Sequence, residues 1–219
     1  MDNGVLFRPA SLKQEMFINS TAFRTIYGGS MGGGKTFMGL MRFLLYVDDP
    51  NFIGFVIRKN ASDLRGAGGA YDEALAMFSK YDPKLKYTKQ PMQMTFSSGA
   101  KIFFTGLDGD AGMKSLQGKQ ISAIMLDEAT HFTEEEIVWA ESRLRTKADM
   151  IPNIWLTCNP DKSSVIFTGD NKQIIKGEER VHRIMQAGEL YPSLFRIIGK
   201  NVNRKNQING KERFLRNYV

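Results

Sequence analysis

The tightest constraint on this chain is a run of eight residues, Gly29-Ser30-Met31-Gly32-Gly33-Gly34-Lys35-Thr36, which matches G-x-x-x-x-G-K-[ST] at every fixed position. Glycines let the backbone turn through positive φ and bring amide N–H groups close to a ligand with no Cβ in the way. Such amides form an anion-binding nest, closed by the N-terminus of a helix starting near Gly34. Lys35 is then placed to reach the β- and γ-phosphates of a nucleotide, and the Thr36 hydroxyl to ligate Mg²⁺. Chance would give this pattern in roughly one chain in a hundred, and the setting narrows it further. The β-prone Thr25-Ile26-Tyr27 precedes the glycines, and Phe37, Leu40, Met41, Leu44 and Leu45 follow at near-helical spacing over Thr36 to Val47. The pattern predicts that Gly29, Ser30, Met31, Gly32, Gly33, Gly34, Lys35 and Thr36 bind ATP with Mg²⁺.

Ile124-Met125-Leu126-Asp127-Glu128 reads as an apolar strand that ends in two carboxylates. Asp127 suits an outer-shell or direct Mg²⁺ role, and Glu128 suits the base that orients and polarises the attacking water, with Lys35 acting on the phosphates. Strands ending in acids are common, so the pair gains its weight from the phosphate loop. Adjacent like charges also disfavour a merely structural role, because they cost energy unless a cation neutralises them.

Strand and helix patterns alternate between these motifs. Phe52 to Ile57 reads as a buried parallel strand, Tyr71 to Tyr81 as a helix, and Met92 to Phe96 with Lys101 to Thr105 as a hairpin around Ser97-Ser98-Gly99-Ala100. Ile121 to Leu126 reads as a strand, Thr133 to Leu144 as a helix and Ile154 to Thr157 as a strand. That order predicts an α/β architecture, a P-loop NTPase fold with a mostly parallel central sheet flanked by helices, with ligands at the C-terminal ends of the strands. Residues 1–161 are expected to form the core. From 162 to 219 the chain is rich in Lys, Arg, Asn and Gly and reads as a small C-terminal lid or tail.

Thirty Lys and Arg against 23 Asp and Glu give a net charge of +7, a balance that accompanies polyanionic partners such as nucleic acid. Cys158 is the only cysteine, which excludes an intramolecular disulfide and a Cys-based zinc site, and His131 and His182 do not rescue one. No window approaches ~18 consecutive apolar residues and Met1-Asp2-Asn3-Gly4 lacks the character of a secretory signal, so no membrane association is expected.

From Phe7 to Asp161 the sequence resembles the ATPase domain of the large terminase subunit of tailed bacteriophages, the motor that pumps genomic DNA into a procapsid. Pro9-Ala10-Ser11-Leu12-Lys13-Gln14-Glu15-Met16-Phe17 is similar to the family's adenine-sensing segment, which implies that Gln14 contacts the base. Val56-Ile57-Arg58-Lys59 with Leu64-Arg65 resembles its second strand, and Phe104 to Asp108, Met113-Lys114-Ser115 and Leu126 to Ala129 its central stretch. Thr157-Cys158-Asn159-Pro160 resembles the coupling motif, implying that Thr157 and Asn159 sense the γ-phosphate, while a plain turn remains the open alternative for Asn159-Pro160. The resemblance implies double-stranded DNA, a portal protein and a small terminase subunit as partners. It also implies a homo-oligomeric ring on the procapsid, a monomer in isolation, and the cytoplasm of the host bacterium as location.

The sequence departs from the family in two ways. Many such motors receive an arginine from a neighbouring subunit, yet Lys114-Ser115-Leu116-Gln117-Gly118-Lys119 contains none, which leaves Lys114 or Arg58 as candidate charge stabilisers, with solvated surface the commoner use of each. Full-length large terminases also carry an RNase H-like nuclease domain, for which 219 residues leave no room, so DNA cleavage is not expected. Two other readings stay open. One is a helicase-like or other nucleic-acid-dependent ATPase, suggested by Asp127 to His131 and by Gly169-Asp170-Asn171-Lys172-Gln173; the other is a non-enzymatic nucleotide-binding scaffold.

Overall fold

The computed structural model describes residues 7–29, 33–66, 68–107, 114 and 116–159. The expected lid or tail over 162–219, and Ser30, Met31 and Gly32 of the phosphate loop, lie outside the described residues.

Seven strands form one sheet in the order β1 (Arg24–Gly28), β7 (Asn153–Cys158), β6 (Ala123–Leu126), β2 (Ile53–Arg58), β5 (Lys101–Gly106), β4 (Met92–Thr95), β3 (Lys86–Lys89). The first five are parallel, and β4 and β3 add an antiparallel hairpin at one edge. The register sets Ile57 beside Leu126 and Leu126 beside Leu156, so the next residues, Arg58, Asp127 and Thr157, form a row at the C-terminal ends of adjacent strands.

Helices cover both faces. On one side α1 (Leu12–Asn19), α2 (Lys35–Phe43) and α3 (Ala70–Tyr81) bury Phe17, Met41, Phe43, Tyr71 and Phe78. On the other, a 3₁₀ turn at Ala129–His131 and α4 (Glu134–Glu141) bury Phe132, Ile137 and Ala140. Strand β7 serves both layers by alternation, with Trp155 in the first and Ile154 and Leu156 in the second. Large side chains of this kind each contribute roughly 1.5–3 kcal/mol on burial.

Contact between α2 and the sheet matters most for the site. Trp155 packs against Phe43 with ring centroids 4.5 Å apart, and its Nε1 donates to the Gly39 carbonyl at 3.1 Å. A Cβ at Gly39 would fall 2.6 Å from Met125 Cε, so the missing side chain is what lets α2 lie close over β6. Arg42 is fully buried between the rings of Phe17 and Trp155 and donates to the Phe17 and Ser20 carbonyls, tying α1 to α2.

Two helix ends differ from the sequence reading. The helix expected over Thr36 to Val47 stops at Phe43; Leu44, Leu45 and Tyr46 stay in or near the core but bond back three residues as turns, ahead of Asp48-Asp49-Pro50. The helix expected over Thr133 to Leu144 ends at Glu141, and its start carries a capping box made by Thr133 and Glu136. The elements α1 and β3 had no counterpart in the sequence reading. Among the described residues, no helix is long and apolar enough to cross a membrane.

Candidate active site

Helix α2 begins at Gly34, whose backbone is left-handed (φ 65°, ψ 27°), and its carbonyl accepts from the Met38 amide at 2.9 Å. This conformation needs glycine, and the space above it is used: a Cβ there would meet Gln14 Nε2 at 3.5 Å. Gln14 is held by its own Oε1, which accepts from the Ala10 amide at 2.5 Å. The Lys35 side chain folds back toward Gly29, its Cδ 4.0 Å from where a Cβ on that residue would stand.

Thr36 occupies the first turn of α2 and faces the end of β6. Its hydroxyl donates to both oxygens of Asp127, at 3.0 and 3.3 Å. Asp127 is 1% exposed, and three further donors meet it: the Thr157 hydroxyl on Oδ1, and Arg58 Nε and Nη2 on Oδ2 at 2.8 and 2.7 Å. Arg58 therefore neutralises the buried carboxylate, the role that sequence reasoning assigned only to a metal ion. Its Nη2 also lies 3.5 Å from Glu128 Oε1, and its Nη1 donates to the Asp63 carbonyl at 2.7 Å.

Glu128 behaves unlike its neighbour. It is the only non-glycine with positive φ among the described residues (56°), a conformation that costs on the order of 1–3 kcal/mol and is tolerated where function requires it. The bend turns its carboxylate out of the sheet into a half-exposed position, with Oε2 3.6 Å from His131 Nδ1. On α3, burial pushes the Glu73 carboxyl above the ordinary carboxylate range, and the negative charge of Asp127 adds to this against the pull of Arg58.

One sheet edge thus gathers Gly29, Gly33, Gly34, Lys35, Thr36, Gln14, Asp127, Glu128, Thr157 and Arg58. Asn159 follows β7 and is exposed, and Lys114 is exposed. The surface reading of Arg58 is overturned, because a residue only 9% exposed and bonded to Asp127 is not solvated surface. Sequence reasoning also missed Glu73, the Asp63 carbonyl and the place of His131 beside Glu128. A charged residue closing the apolar run Phe55-Val56-Ile57 was the available signal for Arg58, since Asp127 closes β6 in the same way.

The donor set suits a hard cation. Among the described residues no three His, Cys, Asp or Glu side chains gather into a metal site. One hydroxyl and one buried carboxylate fit Mg²⁺, which keeps waters and completes its shell with phosphate oxygens.

Comparison with known proteins places the fold. Residues 26–196 match the family described as terminase large subunit, T4likevirus-type, N-terminal. The fold is similar to that of the large terminase from a thermophilic bacteriophage, with a TM-score of 0.64 and 18% identity over 77% of this chain and 44% of that one. A structure of the same terminase in complex with ADP matches with a TM-score of 0.60 and 19% identity over 77% and 43% of the two chains. The HK97 bacteriophage large terminase matches with a TM-score of 0.55 and 10% identity over 97% of this chain and 51% of that one. The chain therefore spans about half the length of these terminases. No curated protein matches the sequence. The mostly parallel sheet, the start of α2 at Gly34 and the acid-tipped β6 are those of the P-loop fold shared by these proteins, and the chain belongs to the terminase large subunit family of T4likevirus type.

Proposed function

We propose that this chain is the ATP-hydrolysing motor domain of a viral DNA-packaging terminase, which translocates double-stranded DNA into a procapsid. The observation that carries this reading is the contact of Thr36, at the start of α2, with Asp127, at the tip of β6 beside Glu128. Family membership and the ADP complex of a structural relative support it.

In this reading the backbone amides at Gly33 and Gly34 and the Lys35 ammonium hold the β- and γ-phosphates. Gln14, close to Gly34, meets the adenine. Thr36 and Asp127 would hold Mg²⁺, which when bound would offset charge on the phosphates. Glu128, bent outward, accepts a proton from water as its oxygen bonds to the γ-phosphorus and the bond to the ADP oxygen breaks. Strand β7 lies between β1 and β6, so Thr157 stands between the phosphate loop and the acids and can exchange its Asp127 bond when the phosphate leaves. Portal protein and small terminase subunit are the proposed partners, a ring on the procapsid the proposed assembly, and the host bacterial cytoplasm the proposed location.

The test is the steady-state ATPase rate with and without double-stranded DNA. The motor reading expects a rise on adding DNA, whereas turnover that ignores DNA contradicts it. Separation of a forked duplex would favour a helicase instead.

A further inference from the structure

From Pro83 to Leu107 the chain carries Lys84, Lys86, Lys89 and Lys101 and no acidic residue. All four lysines are exposed. Lys86 and Lys89 lie on β3, the outermost strand of the sheet, whose residues are exposed on both faces, and Tyr87 between them is 52% exposed. Edge-strand lysines have a bland use, which is to stop one sheet edge from pairing with another. Orientation and bonding both point beyond it.

Strand β4 runs antiparallel to β5 and pairs Met92 with Lys89. The Lys89 end of the hairpin therefore lies at the C-terminal edge of the parallel strands, the edge that bears Asp127 and Glu128. Four strand spacings separate β3 from β6, about 19 Å at the usual ~4.8 Å per strand.

A bonded connection crosses that gap. Arg58, which holds Asp127, donates through Nη1 to the Asp63 carbonyl at 2.7 Å. Two residues further on, Arg65 donates through Nη2 to the Lys89 carbonyl, with its Nε 3.2 Å from Met92 Sδ. Leu64, between the two attachments, is fully buried. The 3₁₀ turn Ala61–Leu64 and Arg65 are thus fixed at one end to the acid site and at the other to the lysine hairpin. Gly66 follows at φ 93°, a left-handed turn that suits glycine, and its amide donates to Asp72 Oδ2 on α3 at 3.1 Å, so the segment is also anchored to that helix.

Resting on the reading of this chain as a DNA-translocating ATPase, we propose that the β3–β4 hairpin is a contact surface for duplex-DNA phosphates, and that Arg65 is the positioning residue linking it to Arg58 and the acid pair. Lysines at this density give contacts that ignore base sequence, which is what a translocating motor requires. A change of charge beside Asp127 alters how Arg58 divides between Asp127 and Glu128, now 2.7 and 3.5 Å away, and the Asp63 carbonyl moves with its guanidinium. Arg65 carries that movement to the hairpin backbone.

The experiment measures binding of the full chain to a labelled duplex by fluorescence anisotropy across a salt series, with ADP and with a non-hydrolysable ATP analogue. Three variants are compared with the parent: Lys84, Lys86 and Lys89 all changed to Ala, the same three changed to Arg, and Arg65→Ala. Thermal melting checks that each is folded. The Ala variant should bind about tenfold or more weakly, and the slope of log affinity against log salt should fall by about 2–3, while the Arg variant keeps both. Arg65→Ala should keep the salt slope and lose the difference in DNA affinity between the two nucleotides. Parental affinity and slope in the Ala variant overturn the contact surface; if that variant also self-associates, the lysines only guard the edge. A nucleotide difference that is missing from the parent, or that survives Arg65→Ala, overturns the link. Failure of the parent to bind duplex at all defeats the motor reading itself.

Discussion

The centre of the sheet and its outermost strand treat charge in opposite ways. At β2 and β6 the chain buries Arg58 and Asp127 and bonds them to Thr36, Thr157 and the Asp63 carbonyl. At β3 it leaves Lys86 and Lys89 exposed on a strand that contributes no buried residue. A buried pair fixes geometry, because breaking it leaves an uncompensated charge in a poorly polarisable setting. Exposed lysines contribute little to the fold, and for that reason they are free to serve a ligand. The centre near Asp127 is built for position and the hairpin for contact.

The contrast can be broken first at Arg58. Arg58→Ala should destabilise the chain by about 3–5 kcal/mol, read by urea unfolding, because Asp127 loses its counter-ion while remaining buried. A loss below ~1 kcal/mol would mean that Asp127 is neutralised by other means, and the distinction between the two regions would disappear.

The hairpin sharpens the contrast at its one buried charge. Asp82 accepts from the Ser97 amide at 2.6 Å and the Lys84 amide at 3.0 Å, pinning the hairpin base to the end of α3. Burial alone would raise its pKa, but these bonds and the Lys84 charge hold it below the ordinary carboxylate range. A depressed folded pKa means stability that is present above the unfolded value, near ~3.9, and is lost as pH falls through the folded one. Asp82→Asn should therefore cost about 1 kcal/mol at neutral pH, with the gap to the parent closing as the solution is acidified below pH ~4. A gap that persists in acid would show that the amides, and not the ionised carboxylate, carry the effect.

How much of this was legible follows from how local each signal is. Gly29 to Thr36 is contiguous, and its chemistry requires those residues in that order, so the motif could be read directly. The β4–β5 hairpin was legible from two strand-like runs around Ser97-Ser98-Gly99-Ala100. Arg58 was misread because its partner lies in a strand 69 positions away, and only the register Ile57 to Leu126 brings them together. Strand β3 was missed because all four of its residues are exposed, so it has no hydrophobic period to detect. The end of α2 was misplaced because Leu44 and Leu45 remain buried after the helix gives way to turns, and burial continues the apolar pattern past the last helical bond.

The central claim is that Glu128, bent out of β6 beside a metal-side Asp127, is the base that drives ATP hydrolysis. It is tested most directly by measuring ATP binding and ATP turnover on Glu128→Gln side by side. The account predicts ATP binding close to that of the parent with turnover lower by roughly a hundredfold to ten-thousandfold. A variant that binds ATP and hydrolyses it as fast as the parent would contradict it.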